Sequence, residues 1–390
     1  MKKLNRRRIF GTALKRAMSV LLCACMVMPL VPTVSADSHN VRLVRDTQIG
    51  GERSNLFDYD WKFKLTSDDC SAFGYDDSDW RVLDLPHDWK IERGSDYNTL
   101  YGKETAWYRH DLYLPEALKD KDISLRFDCV QKNTTVYVNG KYAAYYPAGY
   151  STFNVELTDL LNFGNTVNEI AVKVEYEYAD AWWYTGAGII RDVWLTVTDK
   201  VHVNYGGTYI YTDGKSTASI DAEIKNDTSV SKTVTVSETV LDADGKSVAS
   251  SSKRVTVPAG GIVTDTQTLN VSNAKLWDTE NPYLYTMKTE LSCDGKIVDT
   301  YTGTFGFRTI EIDPEHGFFL NGKQTKLKGA ALHQDLGALG GVSNYEGTKK
   351  RLIQLKEMGI NAIRTAHNIC PPEWVVRRLA DCSSCAMSSA

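Results

Sequence analysis

Hydrophobic and polar positions alternate with a period of two through much of residues 40–313, which is the pattern of half-buried β-strands. The alternating run that ends at Val138 leads directly into Asn139-Gly140, a strong hairpin signal. Residues 233–236 and 255–257 repeat the alternation, and Asp-Gly pairs mark turns between the runs. No long helical period appears here. Short strands with regular turns predict β-sandwiches.

A break near residues 199–202 divides this β-rich region into two blocks. The block before the break, about 160 residues long, fits a jelly-roll sandwich. The block after it is richer in Thr, Ser and Val for about 110 residues and fits an immunoglobulin-like sandwich. We therefore predict one domain over residues 37–200 and a second over 201–313.

The pattern changes at Phe318, where a small hairpin is followed by a predicted strand over 326–330. A helix is predicted over 345–358, with Leu352, Leu355 and Met358 on one apolar stripe and Gly359 as its C-cap. A strand is predicted over 361–365, and Pro371-Pro372 can open another helix. This order of strand and helix predicts that residues 314–390 begin a βα repeat.

Residues 1–36 have the pattern of an export signal. Seven basic residues precede or flank a short apolar run, and Val34-Ser35-Ala36 is a small-residue cleavage site. A retained membrane anchor is the alternative, but the run is short and interrupted by proline. We expect a bacterial secreted or cell-surface protein without stable membrane insertion after cleavage.

Charge and cysteine usage exclude several classes of function. Without the signal, 38 basic residues face 49 acidic ones, and a net charge near −11 argues against nucleic-acid and anionic-membrane partners. Cys382 and Cys385 have CxxC spacing but no second pair or histidine cluster, so a zinc or redox role is not expected. The 21 Tyr and 9 Trp residues suit both sugar stacking and β-rich cores.

Three residues near the predicted strand ends could carry chemistry. His333 follows the first strand of the βα repeat, Arg364 lies in the second, and His367 follows it. In a βα barrel the carboxyl ends of neighbouring strands build one face, so these side chains should meet. Arg offers a bidentate fork for carboxylates, and neutral His can bind sugar hydroxyls. Partly buried structural roles are the alternative.

These segments resemble family 2 glycoside hydrolases of the β-galactosidase type. The sequence Asn361-Ala-Ile-Arg364-Thr-Ala-His367-Asn368 resembles a signature of the catalytic barrel. The resemblance extends over nearly all of residues 45–376. The segments that carry it are 73–81, 85–89, 183–194, 317–340 and 349–368. It implies a mostly β chain with a jelly-roll sugar-binding sandwich, an immunoglobulin-like sandwich, and the first two βα units of a TIM barrel.

The resemblance also implies roles for individual residues. His333 and His367 match histidines that line the sugar subsite, and Arg364 matches an arginine that supports the catalytic carboxylates. Asp180 lies beside the position of a subsite aspartate, although Ala181 is an alternative match. Arg191-Asp192 matches a motif that we interpret as a buried ion pair at a domain edge.

The family mechanism is retaining and uses two glutamates about 5 Å apart. By the resemblance, the acid follows an Asn roughly 70 residues after His367, so neither glutamate falls within the 390 residues. The Asn168-Glu169 pair is interpreted as a surface pair on a sandwich strand. The acidic run from Asp76 to Asp79 lacks EF-hand spacing and is interpreted as a solvated turn. Trp182 to Tyr184 could stack on sugar, but an interface between sandwich and barrel is favoured.

The tail departs from the family pattern. After Asp381 no strand is visible in the sequence, which suggests a frameshift, a premature end or a mis-joined gene. The apolar faces of Leu352, Leu355, Ile360 and Ile363 would then lack cover.

The leading hypothesis is an exported hydrolase of terminal β-D-galactosides, represented by an inactive N-terminal portion. The alternatives are a carbohydrate-binding or surface-interaction protein, or a β-glucuronidase or β-mannosidase of the same family. The expected partner is a galactoside or oligosaccharide, and oligomerisation stays open. No cofactor is predicted with certainty. Members of the family often bind Mg²⁺ or Na⁺, whose ligands would lie mostly beyond residue 390.

Overall fold

The computed structural model describes residues 53–94, 102–177, 183–371 and 386–388. The predicted export signal lies outside these residues. The described chain is mostly β, with two α-helices, α1 (Trp89–Glu92) and α2 (Tyr345–Glu357). Within it, no helix is both long enough and apolar enough to cross a membrane.

The first group of strands forms two facing antiparallel sheets. One sheet has the order β1-β12-β5-β9, the other has the order β3-β2-β4-β10-β7-β8, and β6 pairs with β11. The strands are β1 (Ser54–Leu56), β2 (Trp61–Leu65), β3 (Arg81–Leu83), β4 (Glu104–Tyr113), β5 (Asp122–Phe127), β6 (Val130–Gln131), β7 (Thr134–Val138), β8 (Lys141–Tyr146), β9 (Phe153–Glu156), β10 (Val167–Tyr176), β11 (Gly188–Ile189) and β12 (Val193–Thr198).

The core of this first sandwich follows from the alternation in the sequence. Along β10, Ile170, Val172 and Val174 are fully buried and pack with aromatic residues from neighbouring strands. The β7–β8 hairpin turns at Asn139 and Gly140, whose φ angles are 52° and 74°. Two consecutive left-handed residues match the twist of the flanking strands, as the Asn-Gly signal predicts.

The second group of strands forms another antiparallel sandwich, with sheets β13-β14-β17 and β16-β15-β18-β19. Its core alternates inward along β14, where Ala218, Ile220, Ala222 and Ile224 are buried. The strands are β13 (Val201–Thr212), β14 (Thr217–Asn226), β15 (Lys232–Leu241), β16 (Ser247–Val257), β17 (Ile262–Asn270), β18 (Tyr285–Cys293) and β19 (Lys296–Phe305). The exact domain limits stay a prediction from the sequence.

The remaining elements form a small antiparallel sheet and a parallel sheet. The antiparallel sheet has the order β20-β21-β22, and the parallel one β23-β24-β25. The helix α2 begins after Asn344, whose side chain accepts a hydrogen bond from the Gly347 N–H. These strands are β20 (Ile310–Asp313), β21 (Gly317–Leu320), β22 (Lys323–Gln324), β23 (Gly329–Leu332), β24 (Ala362–Thr365) and β25 (Ala386–Ser388).

One expectation about this last region is wrong, and a second holds only in part. A third parallel strand, β25, pairs with β24, although the sequence after Asp381 shows no apolar run. Short strands can form wherever a neighbouring edge offers unpaired backbone groups, and this needs no apolar pattern.

The helix and its strand also cover each other. Leu352 and Ile363 are buried together, and Leu355 and Ile360 pack against them but are only partly buried, so these apolar faces are covered in part. Met358, expected on the same stripe, lies past the end of α2 and is 77% exposed.

Two polar segments that the sequence presents as solvated each contain one buried residue. Asn168 is fully buried, and Glu169 pairs with the guanidinium of Arg109 (2.6 Å). Asp77, in the acidic run, is only 9% exposed and pairs with the same guanidinium (2.9 Å). The surface interpretation is therefore wrong for Asn168 and Asp77, whereas Asp76, Ser78 and Asp79 are exposed as expected and Glu169 is partly buried.

We expect limited proteolysis to cleave residues 320–371 before it cleaves either sandwich. The core of this region contains only two fully buried apolar side chains, Leu352 and Ile363, whereas both sandwiches have extensive cores. A region with few buried contacts opens locally at low free energy. Mass spectrometry of the early fragments checks this. Simultaneous cleavage in all three regions would contradict it.

Candidate functional site

The two histidines predicted for the site lie at the carboxyl ends of adjacent parallel strands. The register pairs Leu332 of β23 with Thr365 of β24, so the chain leaves the sheet at the same level on both strands. His333 follows the first strand directly and His367 follows the second after one residue. Their ring centroids are 5.2 Å apart in a T-shaped arrangement. The structure therefore brings these residues together.

Arg364 joins the pair through its guanidinium. Because Ile363 faces α2, the alternation of the strand places Arg364 on the opposite face, where its side chain is exposed. Arg364 Nη1 donates to Nδ1 of His367 at 3.0 Å. Arginine has no acceptor, so a neutral His367 carries its proton on Nε2 and can donate it to a ligand oxygen.

Trp183 forms a wall shared by both histidines. Its ring lies 5.2 Å from His333 and 4.8 Å from His367, measured between centroids. The residue comes from the loop before β11 of the first sandwich, so the favoured interpretation of an interface with the barrel region agrees with its position. An indole face beside two imidazoles also offers an apolar surface on which a sugar ring can stack.

The loop after β23 is fixed to the helix. Arg351 of α2 donates to the carbonyl oxygens of His333 (3.1 Å) and Asp335 (2.6 Å). Backbone atoms held in this way limit the movement of the His333 ring, whose Nδ1 is buried and has no partner among the described residues. A positioned ring with an unused polar atom is suited to binding.

Arg191 joins the first sandwich to the ends of both parallel strands. It is 2% exposed and donates to the carbonyl oxygens of Tyr150 (3.3 Å) and Ile369 (2.8 Å) and to Gln334 Oε1 (3.0 Å). These acceptors are neutral oxygens from both regions, and the expected ion pair at this domain edge stays a prediction. Nothing in the local sequence indicates acceptors more than 140 residues away.

Asp88 makes a second connection between the same regions. Its Oδ1 accepts from the N–H groups of Lys90 (3.0 Å) and Ala187 (3.1 Å), and its Oδ2 from the Tyr184 hydroxyl (2.8 Å) and the Gly341 N–H (2.8 Å). Burial raises the pKa of Asp88 above its usual value, although all four donors act to lower it. Burial and the neighbouring Asp88 carboxylate raise the pKa of Tyr184.

Two glycines allow the backbones to meet at this connection. Gly186 has a φ of +73°, and a Cβ built on it would lie 3.1 Å from both Asp88 Oδ2 and the Cα of Gly341. A side chain there would separate the two backbones. The spacing of residues in the sequence did not predict this contact between Gly186 and Gly341. Trp183 lies three residues before Gly186.

Asp180, the fourth predicted site residue, lies outside the described residues. Among those that are described, the histidine pair has no third His, Cys, Asp or Glu close enough to complete a metal site. The expectation of Mg²⁺ or Na⁺ elsewhere in the family stays a prediction. The arrangement offers hydrogen bonds, an aromatic face and one exposed guanidinium.

Family models match both sandwiches. Residues 93–199 match the model described as glycosyl hydrolases family 2, sugar binding domain, and residues 201–308 match the model described as glycosyl hydrolases family 2. The two matched ranges follow each other along the chain and together cover more than half of it.

Curated relatives agree with these matches. The chain is 38% identical over 337 residues to a β-galactosidase of Bacteroides ovatus, covering 83% of this chain and 39% of that protein. It is 35% identical over 329 residues to a protein named putative β-glucuronidase of Formosa agariphila, covering 81% of this chain and 31% of that protein. The chain thus spans about two fifths or less of the length of these relatives.

Solved structures show the same architecture. A glycosyl hydrolase family 2 member from Bacteroides cellulosilyticus matches with a TM-score of 0.80 and 31% identity, covering 86% of this chain and 47% of that one. A β-glucuronidase from Bacteroides uniformis matches with a TM-score of 0.79 and 30% identity, covering 86% and 41%. This chain belongs to glycosyl hydrolase family 2, with its sugar-binding sandwich, its immunoglobulin-like sandwich and the start of its barrel.

Proposed function

We propose that His333, Arg364, His367 and Trp183 form one wall of a glycoside subsite, in a hydrolase that removes terminal β-D-galactosides with retention. The observation that carries this proposal is the meeting of both histidines with Trp183 at the ends of two parallel strands. Strand ends of this kind build the active face of βα barrels.

Each side chain has a chemical part in this proposal. The Nε2–H of His367 donates to a sugar hydroxyl, since Arg364 occupies its Nδ1. The indole of Trp183 supplies a flat apolar surface for the C–H face of the sugar. Two carboxyl groups about 5 Å apart would complete a retaining mechanism. The family resemblance assigns these two carboxyl groups to other segments than the wall formed by His333, Arg364, His367 and Trp183, so binding is the property that tests this wall.

A β-glucuronide is the second candidate substrate. Its support is the exposed guanidinium of Arg364, which has no acidic partner among the described residues, together with relatives named β-glucuronidase. A guanidinium can bind a sugar carboxylate through two parallel hydrogen bonds. In the galactosidase proposal, the same group instead supports the catalytic carboxylates.

The two candidates differ in how Arg364 should affect binding. Calorimetric titration of the chain with methyl β-galactoside and methyl β-glucuronide measures this. For a galactoside site, His367→Ala should weaken galactoside binding about tenfold, the cost of roughly one hydrogen bond to a fixed donor. For a glucuronide site, Arg364→Met should weaken glucuronide binding at least as much, because charge-assisted bidentate bonds are stronger.

A matched control is His316→Ala, which removes a surface histidine bound to Asp313 and 65% exposed. It should leave both affinities unchanged. If His367→Ala also leaves them unchanged while binding persists, the sandwiches carry the sugar site and the alternative of a carbohydrate-binding protein is favoured. Turnover of an aryl β-galactoside by the purified chain, lost in His367→Ala, would contradict the expected inactivity.

We further propose that the protein is exported by a bacterium. The support is the sequence of residues 1–36, with its basic start, short apolar run and Val34-Ser35-Ala36 site. Amino-terminal sequencing of the protein secreted from a bacterial host should begin at Asp37. Retention of the full N-terminus in the membrane fraction would support an anchor instead.

A further inference from the structure

A polar cleft between the two sandwiches is lined by Asp122 and His202, and Asp227 lies beside them. The cleft has a volume of about 340 Å³ and is lined by residues of both sandwiches. Asp122 begins β5 of the first sandwich, His202 lies in β13 of the second, and Asp227 directly follows β14. One ligand atom from each lies within 4.8 Å of the other two. The cluster shares no residue with the proposed glycoside subsite.

The orientation of His202 indicates which of its ring nitrogens is available to bind a cation. The His202 side chain is 6% exposed, and its Nδ1 lies 2.8 Å from the Asp199 carbonyl oxygen. A carbonyl oxygen only accepts, so Nδ1 carries the proton and Nε2 of the neutral ring presents a lone pair. That lone pair faces Asp122 Oδ2 at 3.6 Å, which is too long for a hydrogen bond. The neutral ring therefore directs a lone pair toward a carboxylate, an arrangement that a cation bound between the two groups would stabilise.

Neighbouring groups hydrogen-bond to His202 and Asp122 in the way that metal ligands are usually held. Histidine ligands almost always donate their second ring N–H to a carbonyl or carboxylate, and ligating carboxylates are themselves hydrogen-bonded. His202 meets the first condition through Asp199. Asp122 meets the second, because its Oδ1 accepts from the Thr158 hydroxyl at 2.8 Å and its Oδ2 faces the cluster.

We propose that Asp122, His202 and Asp227 bind a divalent first-row cation that links the two sandwiches. One imidazole and two carboxylates form a donor set suited to Mn²⁺ or Zn²⁺. The ammonium of Lys225 lies 2.9 Å from Asp227 Oδ2 and 3.9 Å from Asp122 Oδ2, so it supplies positive charge here. Its side chain is 24% exposed, so the proposal requires the ammonium to leave the carboxylates when the cation binds.

Titration of the tag-free chain with Mn²⁺, followed by electron paramagnetic resonance, tests the site. Mn²⁺ is the chosen probe because the thiols of this chain prefer softer metals. One saturable site is expected. His202→Gln should weaken it at least tenfold, since even changes outside the ligand shell cost about 10- to 100-fold. Lys225→Met should tighten binding about fivefold by removing a competing charge.

Two further variants keep the test decisive. Asp227→Asn changes a partly exposed residue at a strand end, so it should fold and still weaken binding about tenfold or more. His316→Gln removes an exposed histidine beside a carboxylate and should have no effect. Unchanged affinity in both His202→Gln and Asp227→Asn would overturn the proposal. So would the absence of saturation below about 1 mM, the weak limit of extracellular cation modules.

Discussion

Replacing Arg109 with Met should lower the free energy of unfolding of the first sandwich by about 3–5 kcal/mol, as expected when one partner of a buried ion pair is removed. Arg109 is 2% exposed. Its Nε donates to Asp77 (2.9 Å) and its Nη2 to Glu169 (2.6 Å), and Nη1 donates to the Cys70 carbonyl oxygen (2.6 Å). Met fills part of the volume but removes the counter-charge of Glu169 and leaves Asp77 with Lys62 alone (2.6 Å).

Urea denaturation followed by tryptophan fluorescence measures this effect. Arg81→Met is the matched control, because Arg81 makes a two-pronged pair with Glu92 but is 55% exposed. An exposed pair contributes about 0–1 kcal/mol, so the control should unfold near the wild-type midpoint. Equal midpoints for the two variants would show that the Arg109 network does not stabilise the sandwich.

The buried network explains what the sequence could not predict about this sandwich. Alternation correctly predicts strands and inward faces, because apolar side chains report burial directly. It assigns Asp77 and Glu169 to the surface, since an isolated carboxylate is almost always solvated. Their partner Arg109 lies 32 and 60 residues away and is brought to them only by the sheet order.

In the barrel region, too, the sequence predicts some features of the structure and not others. The period of 3.6 predicts α2 to within a residue at its end, and Asn344 and Gly359 mark its limits. The meeting of His333 and His367 follows from the rule that parallel strands align their carboxyl ends. The contact of Trp183 with both rings depends on how the sandwich packs on the barrel region, and local sequence does not encode that packing.

Replacing Asp88 should loosen this packing, and the choice of replacement should set how much. In Asp88→Ala, four donors lose their acceptor, including the buried N–H groups of Ala187 and Gly341. Each buried donor left without a partner costs about 1–3 kcal/mol. Among the replacements of Asp88, we therefore expect Asp88→Ala to lower stability the most. The midpoint of thermal unfolding should fall, and amide exchange at Gly341 should become faster.

The Asp88→Asn variant tests the contact with Gly341 independently of the contacts that Asp88 makes within the first sandwich. Its remaining oxygen can still accept from Lys90 and Ala187 within the first sandwich, but its NH₂ group would face the Gly341 N–H, and two donors repel. Amide exchange at Gly341 should then accelerate while exchange in the sandwich core stays slow. Tyr184→Phe is the control, because it removes only the phenol donor and should leave the Gly341 contact intact. If Asn and Phe accelerate exchange at Gly341 equally, the carboxylate is not what holds the barrel region to the sandwich, and the contacts of Arg191 must hold it instead.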